Sequence, residues 1–290
     1  MTMLSQLFGS IEILGGVGLV FAIIIALAYW KLRVWEDPRV DMVASMLPGA
    51  NCGACGSPGC RGFAEKVVAG EKKPAGCNVL NDDGAALIAD YLGVDKGEAN
   101  KRVARVLCAG GSNVATQQAE YRGLSTCGAA AAVAGGGKGC TWGCLGFGDC
   151  AVSCDFGAIT MNRYGLPVVD VALCTACGDC VDACPKNLFE IIPLDQRLIV
   201  QCRSQIEGDG ALAACAVACT ACGKCVLDAA PGLITIQRGV AVVHYENNAL
   251  ADASAIRRCP TGAIQWIDGA QFTGTVASGV VPALTGSTLA

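Results

Sequence analysis

The chain has 290 residues, enough for about two ordinary domains, and 20 of them are cysteine. Its net charge is −4 with 16% charged residues, which excludes a basic nucleic-acid-binding surface. No Lys or Arg occurs in the first thirty residues, so the basic start of a secretory signal is missing, and the ordered C-x2-C runs point to metal ligation rather than disulfides.

Ile13 to Trp30 contains eighteen residues without a charge and approaches the ~20 needed to cross ~30 Å of hydrocarbon, which predicts a transmembrane helix. Lys31, Arg33 and Arg39 follow it, and Glu12 is the only charge before it. The positive-inside bias therefore predicts a single-pass protein of the inner (cytoplasmic) membrane with residues 31–290 in the cytoplasm. Gly15, Gly18, Ala22 and Ala26 form a small-residue face on which a second membrane helix can approach closely.

Beyond the anchor, residues 40–47 and 60–70 have helical patterning around the loop NCGACGSPGC. Cys52, Cys55, Cys60 and Cys77 form a compact C-x2-C-x4-C-x16-C set. Asp83 to Glu120 leans helical and carries little chemistry. The later GGGKG is not a phosphate loop, because Ala132 and Gly139 stand where glycine and Ser/Thr are required; a flexible or tightly turned linker is expected.

From Cys127 the sequence repeats without a gap at an offset of 75: Cys127, Cys140, Cys144, Cys150 and Cys184 map onto Cys202, Cys215, Cys219, Cys225 and Cys259. Apolar segments GAITM, LPVVDV, GLITIQ and VAVVHY predict paired hairpins. In two-cluster ferredoxins each 4Fe-4S cube takes three cysteines from one run and its fourth from the Cys-Pro of the other. By that rule Cys174, Cys177 and Cys180 take Cys154, while Cys140, Cys144 and Cys150 take Cys184. Adding 75 turns Cys154, Cys174, Cys177 and Cys180 into Ala229, Ala249, Asp252 and Ala255, so one whole ligand set is missing from the second unit. The surviving set there is Cys219, Cys222, Cys225 and Cys259. Cys222 maps onto Phe147, so Cys140 or a rearranged loop must supply the third thiolate in the first unit.

Four 4Fe-4S clusters use sixteen cysteines and leave Cys108, Cys127, Cys202 and Cys215, read as small buried hydrophobes with a redox or extra-ligand role as the alternative. His244 reads as a partly buried strand residue. Zinc is the inorganic rival, and the C-x2-C-x2-C run with a trailing Cys-Pro fits it poorly. The expected fold is α+β: an anchor over 1–35, a small helical four-cysteine domain over 36–100, a linker over 101–126, a two-cluster ferredoxin-like unit over 127–200, a degenerate one-cluster unit over 201–268 and a flexible tail over 269–290.

With NCGACGSPGCRGFA and its later Cys77, then KGCTWGCLGFGDC and two ferredoxin-like units behind a membrane helix, the chain resembles the iron–sulfur B-subunit of the Rnf complex, the ion-translocating ferredoxin:NAD oxidoreductase. The resemblance runs to about residue 268. It implies an electron-entry component that accepts electrons from soluble ferredoxin and passes them to membrane-bound partner subunits, in a complex that couples the flow to Na⁺ or H⁺ movement. Neither a nucleophile–base pair nor a dinucleotide fingerprint is visible, so no substrate-turnover site of its own is expected. The alternatives are a membrane-tethered multi-cluster ferredoxin module serving another reductase, or a structural metal-binding scaffold.

Overall fold

The computed structural model describes residues 2–32 and 37–272. The basic Arg33, the side chains of Glu12 and Ile13, and the tail beyond residue 272 lie outside that description. Helix α1 (Thr2–Leu32) contains a 19-residue apolar span, Leu14–Leu32, none of it buried against the rest of the chain. At 1.5 Å per residue that span is about 28 Å long, sufficient for a bilayer core by length and composition. A Cβ added at Gly15 or Gly18 would meet no atom within 4 Å, so the small-residue face is open.

Three helices follow: α2 (Pro38–Met46), α3 (Gly59–Val68) and α4 (Asp82–Leu92). Local signals set their ends. Asp37 caps α2 ahead of Pro38, the Asn81 side chain accepts from the Gly84 N–H at the start of α4, and left-handed Gly93 ends it. Val40 and Val43 of α2, Phe63, Ala64 and Val67 of α3 and Ile88 of α4 bury one common core, with Cys55, Cys60 and Cys77 packed against it. Full burial of side chains such as Phe63 and Ile88 stabilises by roughly 1.5–3 kcal/mol each.

The remainder is built from short strands and short helices. In chain order these are β1 (Arg102–Val106), α5 (Cys127–Ala132), α6 (Asp149–Val152), β2 (Ile159–Met161), β3 (Pro167–Val169), α7 (Asp179–Asp182) and β4 (Phe189–Pro193). The order continues with β5 (Leu198–Val200), α8 (Gly208–Ala214), α9 (Lys224–Asp228), β6 (Ile234–Gln237), β7 (Val240–Val243) and β8 (Ile264–Trp266). Among the described residues all four strand pairs are antiparallel: β2 with β3 and β6 with β7 as hairpins, β1 with β4 and β5 with β8 as closing pairs of first and last strand. The segments GAITM, LPVVDV, GLITIQ and VAVVHY supply the hairpin strands. His244 follows β7, and its Nε2 lies 2.8 Å from Thr235 Oγ1 on the paired strand.

Two boundaries differ from the sequence expectation. Arg102–Val106, expected within a helix-leaning linker, is a strand, because Val103, Ala104 and Val106 are buried beside β4. The tail is packed at its start: Gln271 is 2% exposed, its amide donating to Val106 O and its Oε1 accepting from Val106 N–H, while Arg105 Nη1 donates to Gly269 O. Gln271 persists at this depth because both ends of its amide are hydrogen-bonded.

An insertion is the larger difference. Val106 pairs with Phe189 and Val200 pairs with Ile264, and Phe189 and Ile264 are 75 apart. Likewise Leu107 N–H donates to Leu188 O and Gln201 N–H to Ala263 O. Val106-Leu107-Cys108 and Val200-Gln201-Cys202 are therefore the same structural position in the two halves, at an offset of 94. Nineteen extra residues follow Cys108 in the first half, which is why the ungapped repeat matches Cys202 to Cys127 instead.

Candidate metal centres

Among the described residues, four cavities in the strand-rich region are each lined by four cysteines. One, of about 320 Å³, is lined by Cys154, Cys174, Cys177 and Cys180. Another, of about 350 Å³, is lined by Cys219, Cys222, Cys225 and Cys259. Both sets are those of the spacing argument, including the crossed placement of Cys154 and Cys259. Left-handed Ala176 and Ala221 turn the two C-x2-C loops so that successive thiols face inward.

The third cavity, of about 390 Å³, differs from the expected grouping in one cysteine. It is lined by Cys144, Cys150 and Cys184, and its fourth cysteine is Cys127, not Cys140. The cause is visible in the backbone. Asp149, beside Cys150, accepts from the first two N–H groups of α5, Cys127 at 2.8 Å and Gly128 at 3.0 Å, which pins the start of that helix to the site. At the equivalent position of the second half stands Lys224, which cannot accept, and there Cys222 supplies the thiol that Cys127 supplies here. Phe147, the counterpart of Cys222, instead packs edge-on against Tyr121 at 5.5 Å. Asp at 149 in one half and Lys in the other is the sequence signal for this exchange.

Three of the four thiols that spacing leaves spare come together. Cys108, Cys202 and Cys215, joined by the displaced Cys140, line the fourth cavity, of about 330 Å³. Lys138 of GGGKG also lines it. The glycines before that lysine make the tight turn expected: Gly135, Gly136 and Gly137 are all left-handed, and a Cβ on Gly137 would collide with Ala119 O.

In the helical domain Cys52, Cys55, Cys60 and Cys77 lie on the loop before α3, on its first turn and before α4. Asn51 Oδ1 accepts from Cys60 N–H at 2.8 Å, and Lys72 Nζ donates to Cys55 O, which ties the loop across the site. Burial and then the neighbouring Cys55 and Cys52 push the Cys77 thiol up, which places these three together.

The protein around the thiols is apolar, and burial raises several of them: Cys144 and Cys180 are pushed up to about 12, Cys202 and Cys225 to about 11. Cys259 goes the other way. Burial opposes its ionisation, but backbone N–H groups of Ile264, Thr261 and Ala263 and the Thr261 hydroxyl outweigh it and lower the thiol. Thiols this neutral take a metal only by giving up their protons to it.

The cavities also separate clusters from single ions. Tetrahedral zinc at ~2.3 Å from each sulfur would draw the four sulfurs to within about 3.8 Å of one another. Among the described residues, no three Cys, His, Asp or Glu side chains converge closely enough to hold one metal ion. Each of these four sets instead lines an apolar cavity, the kind of setting thiolate-held clusters occupy.

Two segments match known domain models: residues 47–79 match a putative Fe-S cluster domain, and residues 167–190 match a 4Fe-4S binding domain. Relatives extend the similarity to most of the chain. The B-subunit of the Na(+)-translocating ferredoxin:NAD(+) oxidoreductase complex of Acetobacterium woodii is 40% identical over 262 residues, covering 90% of this chain and 78% of the relative. The B-subunit of the ion-translocating oxidoreductase complex of Methanosarcina acetivorans is 36% identical, covering 91% of this chain and 99% of the relative. The B-subunit of the proton-translocating ferredoxin:NAD(+) oxidoreductase complex of Clostridium ljungdahlii is 38% identical, covering 87% and 89%. Identity at this level along most of both chains, joined to the cysteine sets above, means that the chain belongs to the B-subunit family of ion-translocating oxidoreductase (Rnf) complexes.

Proposed function

We propose that this chain is the iron–sulfur electron-transfer component of an ion-translocating oxidoreductase, carrying single electrons from reduced soluble ferredoxin toward membrane-bound partner subunits. The observation that carries the reading is the cysteine grouping: sets of four that line apolar cavities in the strand-rich region. Cys52/55/60/77, Cys154/174/177/180, Cys127/144/150/184 and Cys219/222/225/259 would hold 4Fe-4S clusters. Bound there, a cluster supplies one-electron storage and transfer at a potential set by hydrogen bonds to its sulfurs and by burial.

Contacts between the segments that carry these cysteines support a path from one site to the next. Asn78, next to Cys77, donates to Thr175 O at 2.9 Å, next to Cys174, and bonds both N–H and C=O of Arg102. Cys150 and Cys180 share one core with Ala104, Val106 and Phe189. Ala158 N–H donates to Cys154 Sγ at 3.3 Å and Leu188 N–H to Cys184 Sγ at 3.5 Å, the equivalent bond at each crossed cysteine. Residues 31–290 would face the cytoplasm, with α1 as the single span.

Analysis of iron, acid-labile sulfide and zinc in the anaerobically purified full-length chain tests this reading. Iron and sulfide in equal amounts, with an iron–sulfur absorption band that bleaches on reduction by ferredoxin, is the expected result. Stoichiometric zinc without sulfide would establish a scaffold instead.

A further inference from the structure

Cys108, Cys140, Cys202 and Cys215 are the thiols left over by a four-cluster assignment, yet they line one cavity together, as each of the three other sets does. We infer that these four cysteines form a fifth 4Fe-4S site, shared between the two repeat halves. The inference rests on the reading that the other cavities hold such clusters.

Three independent observations converge on it. The first is symmetry. Cys108 and Cys202 each stand two residues past the opening strand of their half, at positions fixed by the matching β1–β4 and β5–β8 registers. Cys140 and Cys215 are equivalent at an offset of 75. Each half thus contributes the same two positions, and four scattered structural cysteines have no reason to meet as two equivalent pairs.

The second is the polar setting of the sulfurs. Gly110 N–H donates to Cys108 Sγ at 3.4 Å and Ser204 N–H donates to Cys202 Sγ at 3.4 Å, again the same bond two residues on in each half. Cys144 N–H adds a second bond to Cys108 Sγ at 3.4 Å. N–H groups aimed at ligand sulfurs are the hydrogen bonds that tune a thiolate-held iron–sulfur cluster. Lys138 brings its cation to the rim, where it donates to Gly110 O and Cys144 O.

The third is the segment that closes the site. Part of the first half's insertion lies across the second half: Ala115 bridges Cys215, Thr116 N–H donates to Ala214 O at 3.0 Å, and Ala216 N–H donates to Val114 O at 2.9 Å. The same segment bonds the loop carrying Cys140, with Gly139 N–H donating to Thr116 O at 2.8 Å. One strap therefore holds Cys140 and Cys215 together, and the side-chain-free Gly110 leaves the space: a Cβ there would stand 3.1 Å from Cys215 Sγ.

The position gives the site its use. The cavity lies between the Cys127/144/150/184 and Cys219/222/225/259 sets, to each of which it is tied through the chain. Cys140 lies four residues from Cys144, and Cys215 four from Cys219, so neither neighbour's Cα is more than about 14 Å away. Cys202 packs against the core that holds Cys219. A cluster held by these four thiols would take one electron from the reduced neighbour on one side and pass it to the other, with no bond made or broken.

The test uses the full-length chain in detergent, purified anaerobically and reconstituted with ferrous iron and sulfide. Five sets of four cysteines should saturate at about 20 Fe and 20 sulfide per chain. Cys108→Ser and Cys215→Ser, one from each half, should each lose about four iron atoms and abolish the same paramagnetic component of the reduced protein. Cys127→Ser should abolish a different one. Saturation of the wild type near ~16 Fe, or Cys108→Ser and Cys215→Ser variants with unchanged iron and spectrum, would overturn the inference while leaving the proposed function standing; a chain without iron would overturn both. Where a serine variant loses more than one cluster, the spin count of the fully reduced wild type decides, five per chain supporting the site and four rejecting it.

Discussion

Asp149→Ala should loosen one cluster and no other. Its carboxylate accepts from Cys127 N–H at 2.8 Å in a half-buried setting and from Gly128 N–H at 3.0 Å nearer solvent. Hydrogen bonds to a charged group contribute about 1.5–3 kcal/mol when shielded and less when exposed, so removing both should ease the opening of α5 by roughly 2–3 kcal/mol. Thr126, which caps the same helix through Ala129 N–H at 3.2 Å, remains in place, so α5 is weakened rather than abolished. At a factor of ten per ~1.4 kcal/mol, the population of the state with Cys127 released rises roughly 30- to 140-fold. The assay is the rate of iron loss to a chelator under anaerobic conditions. Four iron atoms should leave in a new fast phase while the rest leave at the wild-type rate, with Asp149→Asn, which keeps one acceptor oxygen, in between. Release kinetics unchanged in Asp149→Ala, or accelerated equally for all clusters, would refute the role given to Asp149 and with it the place of Cys127.

Crossed ligation predicts that Cys259→Ser perturbs the cluster of Cys219, Cys222 and Cys225, and that Cys184→Ser damages the cluster of Cys127, Cys144 and Cys150 while sparing its sequence neighbours Cys174, Cys177 and Cys180; electron paramagnetic resonance of each reduced variant reads this directly. Arg105 is 1% exposed, its Nε and Nη2 have no hydrogen-bond partner among the described residues, and its charge acts on Cys174. Arg105→Met should therefore lower the potential of the Cys154/174/177/180 cluster, by on the order of 60 mV for a one-electron couple, in a redox titration; an unchanged potential would mean that the charge is screened. Deleting residues 1–36 should release a brown soluble protein that ferredoxin still reduces, and its retention in washed membranes would show that contacts outside α1 anchor the chain.

Much of the architecture is legible in the sequence because the hairpin segments alternate short apolar runs with turn residues and because thiolate ligation imposes fixed spacings. Cys154, Cys174, Cys177 and Cys180 line one cavity, as the ferredoxin rule expects, and Cys219, Cys222, Cys225 and Cys259 line another. What escapes is the partnership of residues far apart in sequence. An ungapped offset of 75 aligns Cys127 with Cys202 and so conceals the insertion that makes Cys108 the true counterpart. The β1–β4 pairing that reveals it joins Val106 to Phe189 and has no local signature beyond the repeated Val-x-Cys. Proximity in sequence alone joins Cys140 to Cys144, and the Asp149–Lys224 difference, which decides between Cys127 and Cys140, becomes meaningful only once α5 is seen to begin at Cys127.

On the proposed function, electrons entering this chain travel through its cysteine-held clusters. Rapid mixing of the oxidised full-length chain with excess reduced ferredoxin, followed by the bleaching of its iron–sulfur absorption and by freeze-quench paramagnetic resonance, tests it most directly. About five electrons should be taken up per chain in resolved one-electron steps, and Cys215→Ser should slow reduction on one side of the missing site without changing the first step. A chain that takes up no electrons from ferredoxin, or whose clusters are reduced only by direct collision and independently of one another in every variant, would contradict it.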